Sequence, residues 1–306
     1  MTRIYEQLAA AADRPYALAL ISGTKGSSPQ RAGAKALFFA DGKITGTLGG
    51  GCLEAEVRAR ALAALKTGQP AEFELVLDHD FGWDDGLICG GSVSGLILPQ
   101  AAQANDLWRE LAGVTAPVRW GVTKDFSIVK VAGSEAAEWL YQETVAPPVE
   151  LWIAGSGHVA QAVAPLAGQL DFAVTIFDDR PELANQEFFP AAVRLQVGGW
   201  HELLKLRPPA GAFGLIVTRG HQHDALTLSE WIRLPFAFLG LIGSRRKARI
   251  IREQFLRQKL ATPEEFDRLA CPVGLDIGAV GPQEIAVSIL AQLIQQRAAR
   301  AGVHKA

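Results

Sequence analysis

Two hydrophobic periodicities run along the chain, and a pair of prolines separates them. In the first half, Ile4 to Ala12 has the apolar spacing of a short helix, which Asp13, Arg14 and Pro15 end. Tyr16 to Ile21 is a continuous apolar run of buried-strand length, followed by a loop, Ser22 to Gly33, dense in glycine, hydroxyls and cations. Lys35 to Phe39 and Lys43 to Leu48 predict a hairpin about Asp41-Gly42. Glu54 to Leu65 has no breaker and reads as a helix that Gly68 to Pro70 stops. Strands are expected at Glu72 to Leu77 and Val93 to Leu98, a helix near Asn105 to Ala112, and three short strands around Trp120, Val129 and Leu140. Pro147 and Pro148 continue neither a helix nor a central strand. The boundary is therefore placed there, giving a mixed α/β domain over residues 1–146 and a second domain over residues 147–306.

Beyond the prolines the pattern becomes strand, turn, helix, repeated. Val149 to Ala154 predicts a strand, Gly155 to Ala160 reads G-S-G-H-V-A, and Gln161 to Leu170 predicts a helix. A strand at Ala173 to Phe177 ends in Asp178 and Asp179. Further strands are expected at Val193 to Val197, Gly214 to Val217 and Ala237 to Ile242, with helices at Ala225 to Arg233 and Arg245 to Gln258. Such alternation predicts an α/β fold, here a Rossmann-like doubly wound parallel sheet.

Composition narrows the function classes. With 49% hydrophobic and 20% charged residues, the 306-residue chain has the make-up of a well-packed protein of about two domains. A net charge of −2 gives no electrostatic footprint for nucleic acid or an anionic membrane. No apolar run approaches the ~20 residues of a membrane span. Three cysteines are an odd number for a disulfide framework and point to free thiols in a reducing, cytoplasmic setting.

Candidate chemistry gathers at glycine turns. In G-T-L-G-G-G-C-L-E, Gly46 to Glu54, three glycines (Gly49, Gly50 and Gly51) deliver Cys52 to a helix start. Unpaired N–H groups and the helix dipole suit an anion there and would make the thiol more acidic. The same residues would also serve as a plain tight turn with a small buried side chain. Cys89, followed by Gly90 and Gly91, mirrors this arrangement, and two such thiols could be soft ligands or a sulfur-transfer pair. Cys271 is read as a packed loop residue.

In the second half, Gly155, Gly157 and Asp178, 23 residues after Gly155, match a dinucleotide fingerprint, with His158 in the same loop. His221 and His223, with Asp224, are placed on a loop after a strand, where they could exchange protons or simply bond the backbone; no metal site is assigned. Ser244, Arg245 and Lys247 open a helix with cations, which suits an anionic ligand or a solvated face. A G-x-S-x-G elbow, a Walker lysine motif and H-E-x-x-H are all missing from the sequence.

Taken in order, G-S-S-P-Q-R-A-G (Gly26 to Gly33), Gly46 to Glu54, Cys89 to Gly91, G-S-G-H-V-A, F-D-D-R (Phe177 to Arg180), L-G-L-I-G-S-R-R-K ending at Lys247, and Pro272 to Ala286 resemble the xanthine dehydrogenase accessory factor family, XdhC/CoxI. The chain departs from the T-H-D-H type stretch of many members at Thr218 to His221. The resemblance implies a chaperone more than an enzyme. Such a protein would bind molybdenum cofactor (molybdopterin) transiently, protect it while a cysteine desulfurase partner supplies its sulfido ligand, and deliver it to a molybdenum hydroxylase. It also implies cofactor contacts at the glycines and cations named above, Arg180 among them, and sulfur or molybdenum contact at Cys52 and Cys89. A homodimer would suit a handover protein. The rival expectation is an NAD(P)-dependent oxidoreductase that binds its nucleotide in the Rossmann-like domain.

Overall fold

The computed structural model describes residues 3–77, 91–131 and 138–300. The chain divides into two compact units, Met1–Pro147 and Pro148–Ala306.

The first unit is built on β1 (Tyr16–Lys25), the central strand of a five-stranded antiparallel sheet of order β3-β2-β1-β5-β4. Its other strands are β2 (Lys35–Phe39), β3 (Ile44–Gly46), β4 (Ala71–Leu77) and β5 (Gly91–Leu98). Residues 16 to 21 are buried throughout because both faces of β1 are covered. Tyr16, Leu18 and Leu20 pack into a cluster with Tyr5 and Leu8 of α1 (Arg3–Ala10) and Trp108 and Leu111 of α3 (Asn105–Ala112). Ala17, Ala19 and Ile21 face α2 (Gly51–Thr67), whose Leu53, Val57, Ala61 and Ala64 recur at helical spacing. Gly68 closes α2 in the left-handed conformation and donates to the Ala64 carbonyl. A second sheet, order β7-β6-β8, holds β6 (Val118–Thr123), β7 (Ile128–Lys130) and β8 (Trp139–Val145).

The second unit is the expected Rossmann-like sheet: six parallel strands ordered β11-β10-β9-β12-β13-β14. These are β9 (Val149–Ala154), β10 (Phe172–Asp178), β11 (Arg194–Val197), β12 (Phe213–Ile216), β13 (Phe238–Leu241) and β14 (Leu269–Ala270). Alternation along β9 sends Leu151 and Ile153 to one face, against α4 (His158–Gln169) and α9 (Pro282–Arg300). Trp152 and Ala154 go to the other face, beside α6 (His221–Trp231) and α7 (Arg245–Arg257). Two short helices, α5 (Trp200–Leu203) and α8 (Pro263–Asp267), complete that side. The strand order reverses between β9 and β12, so a crevice opens at their carboxyl ends, the place where such sheets hold ligands. Among the described residues, no helix is long and apolar enough to cross a membrane.

Candidate functional site

In the first unit, three motif stretches meet. A Cβ on Gly49 would lie 2.7 Å from Pro29 Cβ, and one on Gly91 would lie 2.2 Å from the Ser27 carbonyl oxygen. Only glycine allows these approaches. The loop from Gly26 to Gly33 therefore lies against both the G-G-G-C turn and the start of β5. Gly49, Gly50 and Gly51 take φ values of 114°, 77° and 60°, which swing the chain into α2 with Cys52 as its second residue, half-buried and free. Lys25, Ser27 and Arg31 of the adjoining loop are exposed. Cys89 and Gly90 lie outside the described residues.

The turn differs from the open anion cradle that its spacing suggests. Glu54, one turn into α2, folds back so that its Oε1 accepts from Leu48 N at 2.8 Å, Gly50 N at 3.3 Å and Thr47 Oγ1 at 2.7 Å. Thr47 Oγ1 accepts in turn from Gly49 N at 3.0 Å. The donors of the turn thus hold the chain's own carboxylate. Burial would raise the Glu54 pKa, but the bonds from Thr47, Leu48, Gly50 and Gly49 outweigh it and hold the carboxyl below its ordinary value.

A buried polar cluster stands at the other end of the same loop. Lys35 Nζ donates to Glu143 Oε2 at 2.5 Å and to the Gly33 carbonyl at 2.9 Å, and its side chain is 3% exposed. Tyr5 and Tyr141 hydroxyls donate to Glu143, and Trp120 Nε1 donates to the Tyr5 oxygen at 3.0 Å. The Tyr5, Trp120 and Tyr141 rings surround the amine at 5.4 to 5.5 Å. Burial pushes Lys35 down to about 7 and Glu143 up to about 8, so the contact between them is one of shared protonation. The sequence offers no sign of this cluster, since its lysine and glutamate are 108 residues apart.

In the second unit, every predicted site residue lies at the carboxyl edge of the sheet. Gly155 takes φ 110°, and a Cβ there would lie 2.5 Å from the Val217 carbonyl oxygen, so the loops after β9 and β12 touch at the switch point. Gly157 caps α4, and His158 is exposed beside a cavity of about 390 Å³ that Gln161, Leu166 and Pro282 also line.

Asp178 does not present its oxygens to the crevice. Oδ2 accepts from Ser156 N at 2.7 Å, Ser156 Oγ at 2.8 Å and Arg180 Nη2 at 2.8 Å, while Oδ1 accepts from Arg180 N at 3.0 Å and Nε at 2.8 Å. The side chain is 1% exposed. Burial alone would raise its pKa; the bonds from Arg180 and Ser156 prevail and hold it at about 2. Arg180 is committed to the same contact.

His221 and His223 belong to the first turn of α6, not to a loop, because the helix begins right after Gly220. His221 is exposed, and His223 packs its edge on Trp200. His223 Nε2 lies 2.9 Å from Arg219 Nη2, and since a guanidinium only donates, the imidazole accepts there. Arg219 Nη2 also donates to Asp179 Oδ2 at 3.0 Å. Asp224 reaches back to Thr218, with Oγ1 at 2.7 Å, and accepts from Lys247 Nζ at 2.5 Å. Lys247 thus turns away from the helix start that Ser244 caps, and Arg245 leans towards Asp276 at 3.6 Å. Cys271, read as inert from the sequence, sits within electrostatic range of the Lys247–Asp224 pair. Burial pushes its thiol up to about 11, with Lys247 drawing it down and Asp224 up. Among the described residues no three His, Cys, Asp or Glu side chains are grouped to hold a metal ion.

Comparison with known proteins agrees with this architecture. The model described as the XdhC and CoxI family matches residues 9–78, and the one described as the XdhC Rossmann domain matches residues 151–293. The Escherichia coli K12 protein YqeB is 32% identical over 92% of the chain, which spans only 43% of that relative's length. A Bacillus subtilis 168 protein, named for a probable role in xanthine dehydrogenase, is 26% identical, with 92% of both chains covered. The E. coli K12 molybdenum cofactor insertion chaperone PaoD is 25% identical over 89% of this chain and 80% of its own. A crystal structure from Bacillus halodurans described as a xanthine dehydrogenase superposes with a TM-score of 0.83 at 26% identity, covering 98% and 96% of the two chains. The chain belongs to the XdhC and CoxI family.

Proposed function

We propose that this member of the XdhC and CoxI family is an accessory protein that carries molybdenum cofactor as cargo for a molybdenum enzyme. The observation that carries the reading is the meeting of three motif stretches in the first unit, where glycine-only approaches seat Gly49 on Pro29 and Gly91 on Ser27 beside a free thiol. The name of the PaoD relative supports the same cargo. The cargo bears a phosphate and a sulfur-bound metal, which suit exposed Lys25, Arg31 and Ser27 on one side and the soft Cys52 sulfur on the other. In this reading the protein shelters the cofactor while a cysteine desulfurase supplies sulfur, and a molybdenum hydroxylase then receives it.

A nicotinamide oxidoreductase draws less support. The acidic residue that would bind a ribose has both oxygens occupied by Arg180 and Ser156. The test is retention of cofactor released from a molybdoenzyme, followed by ultrafiltration and by fluorescence of the oxidised pterin. The wild type is expected to retain it, and Cys52→Ser to retain it about tenfold less tightly, a change of about 1.4 kcal/mol. Passage of all pterin through the filter with the wild type would sink the proposal. Equal retention by Cys52→Ser would remove the thiol from it.

A further inference from the structure

The strand order puts β9 between β10 and β12. Asp179 follows the last residue of β10, and Arg219 stands three residues past the end of β12. Their side chains meet at 3.0 Å, so the ion pair spans the carboxyl end of β9, where the Gly155–Gly157 loop turns into α4. Beneath it the loop is fixed on both sides. Ser156 is held by Asp178, and Gly155 abuts the Val217 carbonyl.

The pair differs from its two neighbours. Asp178 and Asp224 are each 1% exposed, whereas Asp179 is 26% and Arg219 41% exposed. His223 accepts from the same Arg219 nitrogen and stands 4.0 Å from Asp179, which holds the guanidinium over the crevice rather than out in solvent.

We infer that the Arg219–Asp179 pair is a latch across the switch-point crevice, and that a ligand bearing a diphosphate enters by taking Arg219 over from Asp179. An exposed ion pair contributes only about 0–1 kcal/mol, so exchange of one anionic partner for another is inexpensive. A guanidinium offers the incoming phosphate two parallel donors, a geometry as good as the carboxylate it leaves. The inference concerns the second unit and is independent of the cargo assigned to the first.

Inorganic pyrophosphate titrated calorimetrically into the full chain tests the latch. Asp179→Asn frees Arg219 and should tighten binding at least about fivefold, whereas Arg219→Gln should weaken it below the wild type. Glu182→Gln removes an equally negative, exposed side chain nearby without touching the latch, and sets the size of a plain charge effect. Both latch residues are partly exposed, so neither variant should lose its fold, and thermal melting checks this. An Asp179→Asn gain no larger than that of Glu182→Gln would overturn the latch. So would Arg219→Gln binding as tightly as Asp179→Asn, or absence of pyrophosphate binding in all four proteins.

Discussion

Asp178→Asn gives the sharpest test of how the second unit holds its glycine loop. The carboxylate accepts five hydrogen bonds, three at Oδ2 and two at Oδ1, all from Ser156 and Arg180. An amide keeps one acceptor oxygen and turns the other position into a donor. Placed best, its oxygen serves the three donors at Oδ2, and its NH2 then faces Arg180 N and Nε, two donors with nothing to accept them. A buried donor left unpaired costs about 1–3 kcal/mol, and a buried ion pair with one partner removed about 3–5 kcal/mol. Arg180 is 22% exposed and recovers some hydration, so a loss of about 3 kcal/mol is expected. At about 2–4 °C per kcal/mol for a unit of this size, the melting transition of the second unit should fall by about 10 °C. The pH dependence has a definite sign. The folded pKa is held at about 2 against an ordinary 3.8, so the carboxylate's contribution is complete above the ordinary value and fades as pH falls towards 2. The gap between wild type and variant should hold steady from pH 7 down to about 5, then narrow by about 1 kcal/mol by pH 3. A variant melting within about 2 °C of the wild type at pH 7 would refute the reasoning and make Asp178 a candidate ligand contact again.

Other substitutions test the remaining contacts. Gly155→Ala forces a Cβ to 2.5 Å from the Val217 carbonyl at φ 110° and should cost about 2–4 kcal/mol in thermal melts; Gly157→Ala, at φ −72° with nothing within 4 Å, should be near neutral. Lys35→Met and Glu143→Gln should each cost about 3–5 kcal/mol by urea denaturation, and the double variant less than their sum, because each single change strands a buried polar partner. Additive losses would mean the two side chains do not interact. Glu54→Ala should speed amide hydrogen exchange at Leu48 and Gly50 about tenfold while Cys52 keeps its place in α2; unchanged exchange would place the carboxylate elsewhere.

What the sequence made legible follows from what is local. The run V-E-L-W-I-A followed by glycine and an unbroken helix gives β9 and α4, since strand and helix are both written in side-chain period and the turn between them needs Gly155. Strand β1 runs on through Ser22 to Lys25, beyond its apolar stretch, because β5 pairs with it there; a partner supplies that extension, and the residues themselves do not. The final helix, α9, is absent from the pattern reading, although Pro282 at its first position marks a helix start. At the candidate site the positions were legible and the partners were not. Spacing placed Asp178, Lys247 and the histidines at strand ends, yet which cation each carboxylate takes depends on side chains that only the sheet order brings together. The same holds for Glu54, whose return to the G-G-G turn is local in sequence but requires three successive glycines at positive φ to aim the N–H groups at it.

Asp178 and Asp179 show how far identical chemistry can diverge over one residue. Both are aspartates at the end of β10, and both pair with an arginine. The first ends the strand, turns inward and is sealed by five bonds; the second begins the loop and stays partly in solvent. Removing one partner from the sealed pair costs several kcal/mol, while the open pair contributes about 1 kcal/mol at most. The Asp224–Lys247 pair, with its carboxylate 1% exposed, behaves like the first. Of the three carboxylate–cation pairs along this edge, two are therefore bound to the stability of the unit and one is free to exchange. An anion arriving at the crevice can recruit Arg219 without unmaking the fold, but it cannot recruit Arg180 or Lys247 on those terms. Any response of the second unit to such a ligand must therefore run through Arg219, and thermal stability must run through Asp178. Variants at adjacent positions should separate the two effects, with Asp179→Asn moving binding and Asp178→Asn moving the melting temperature.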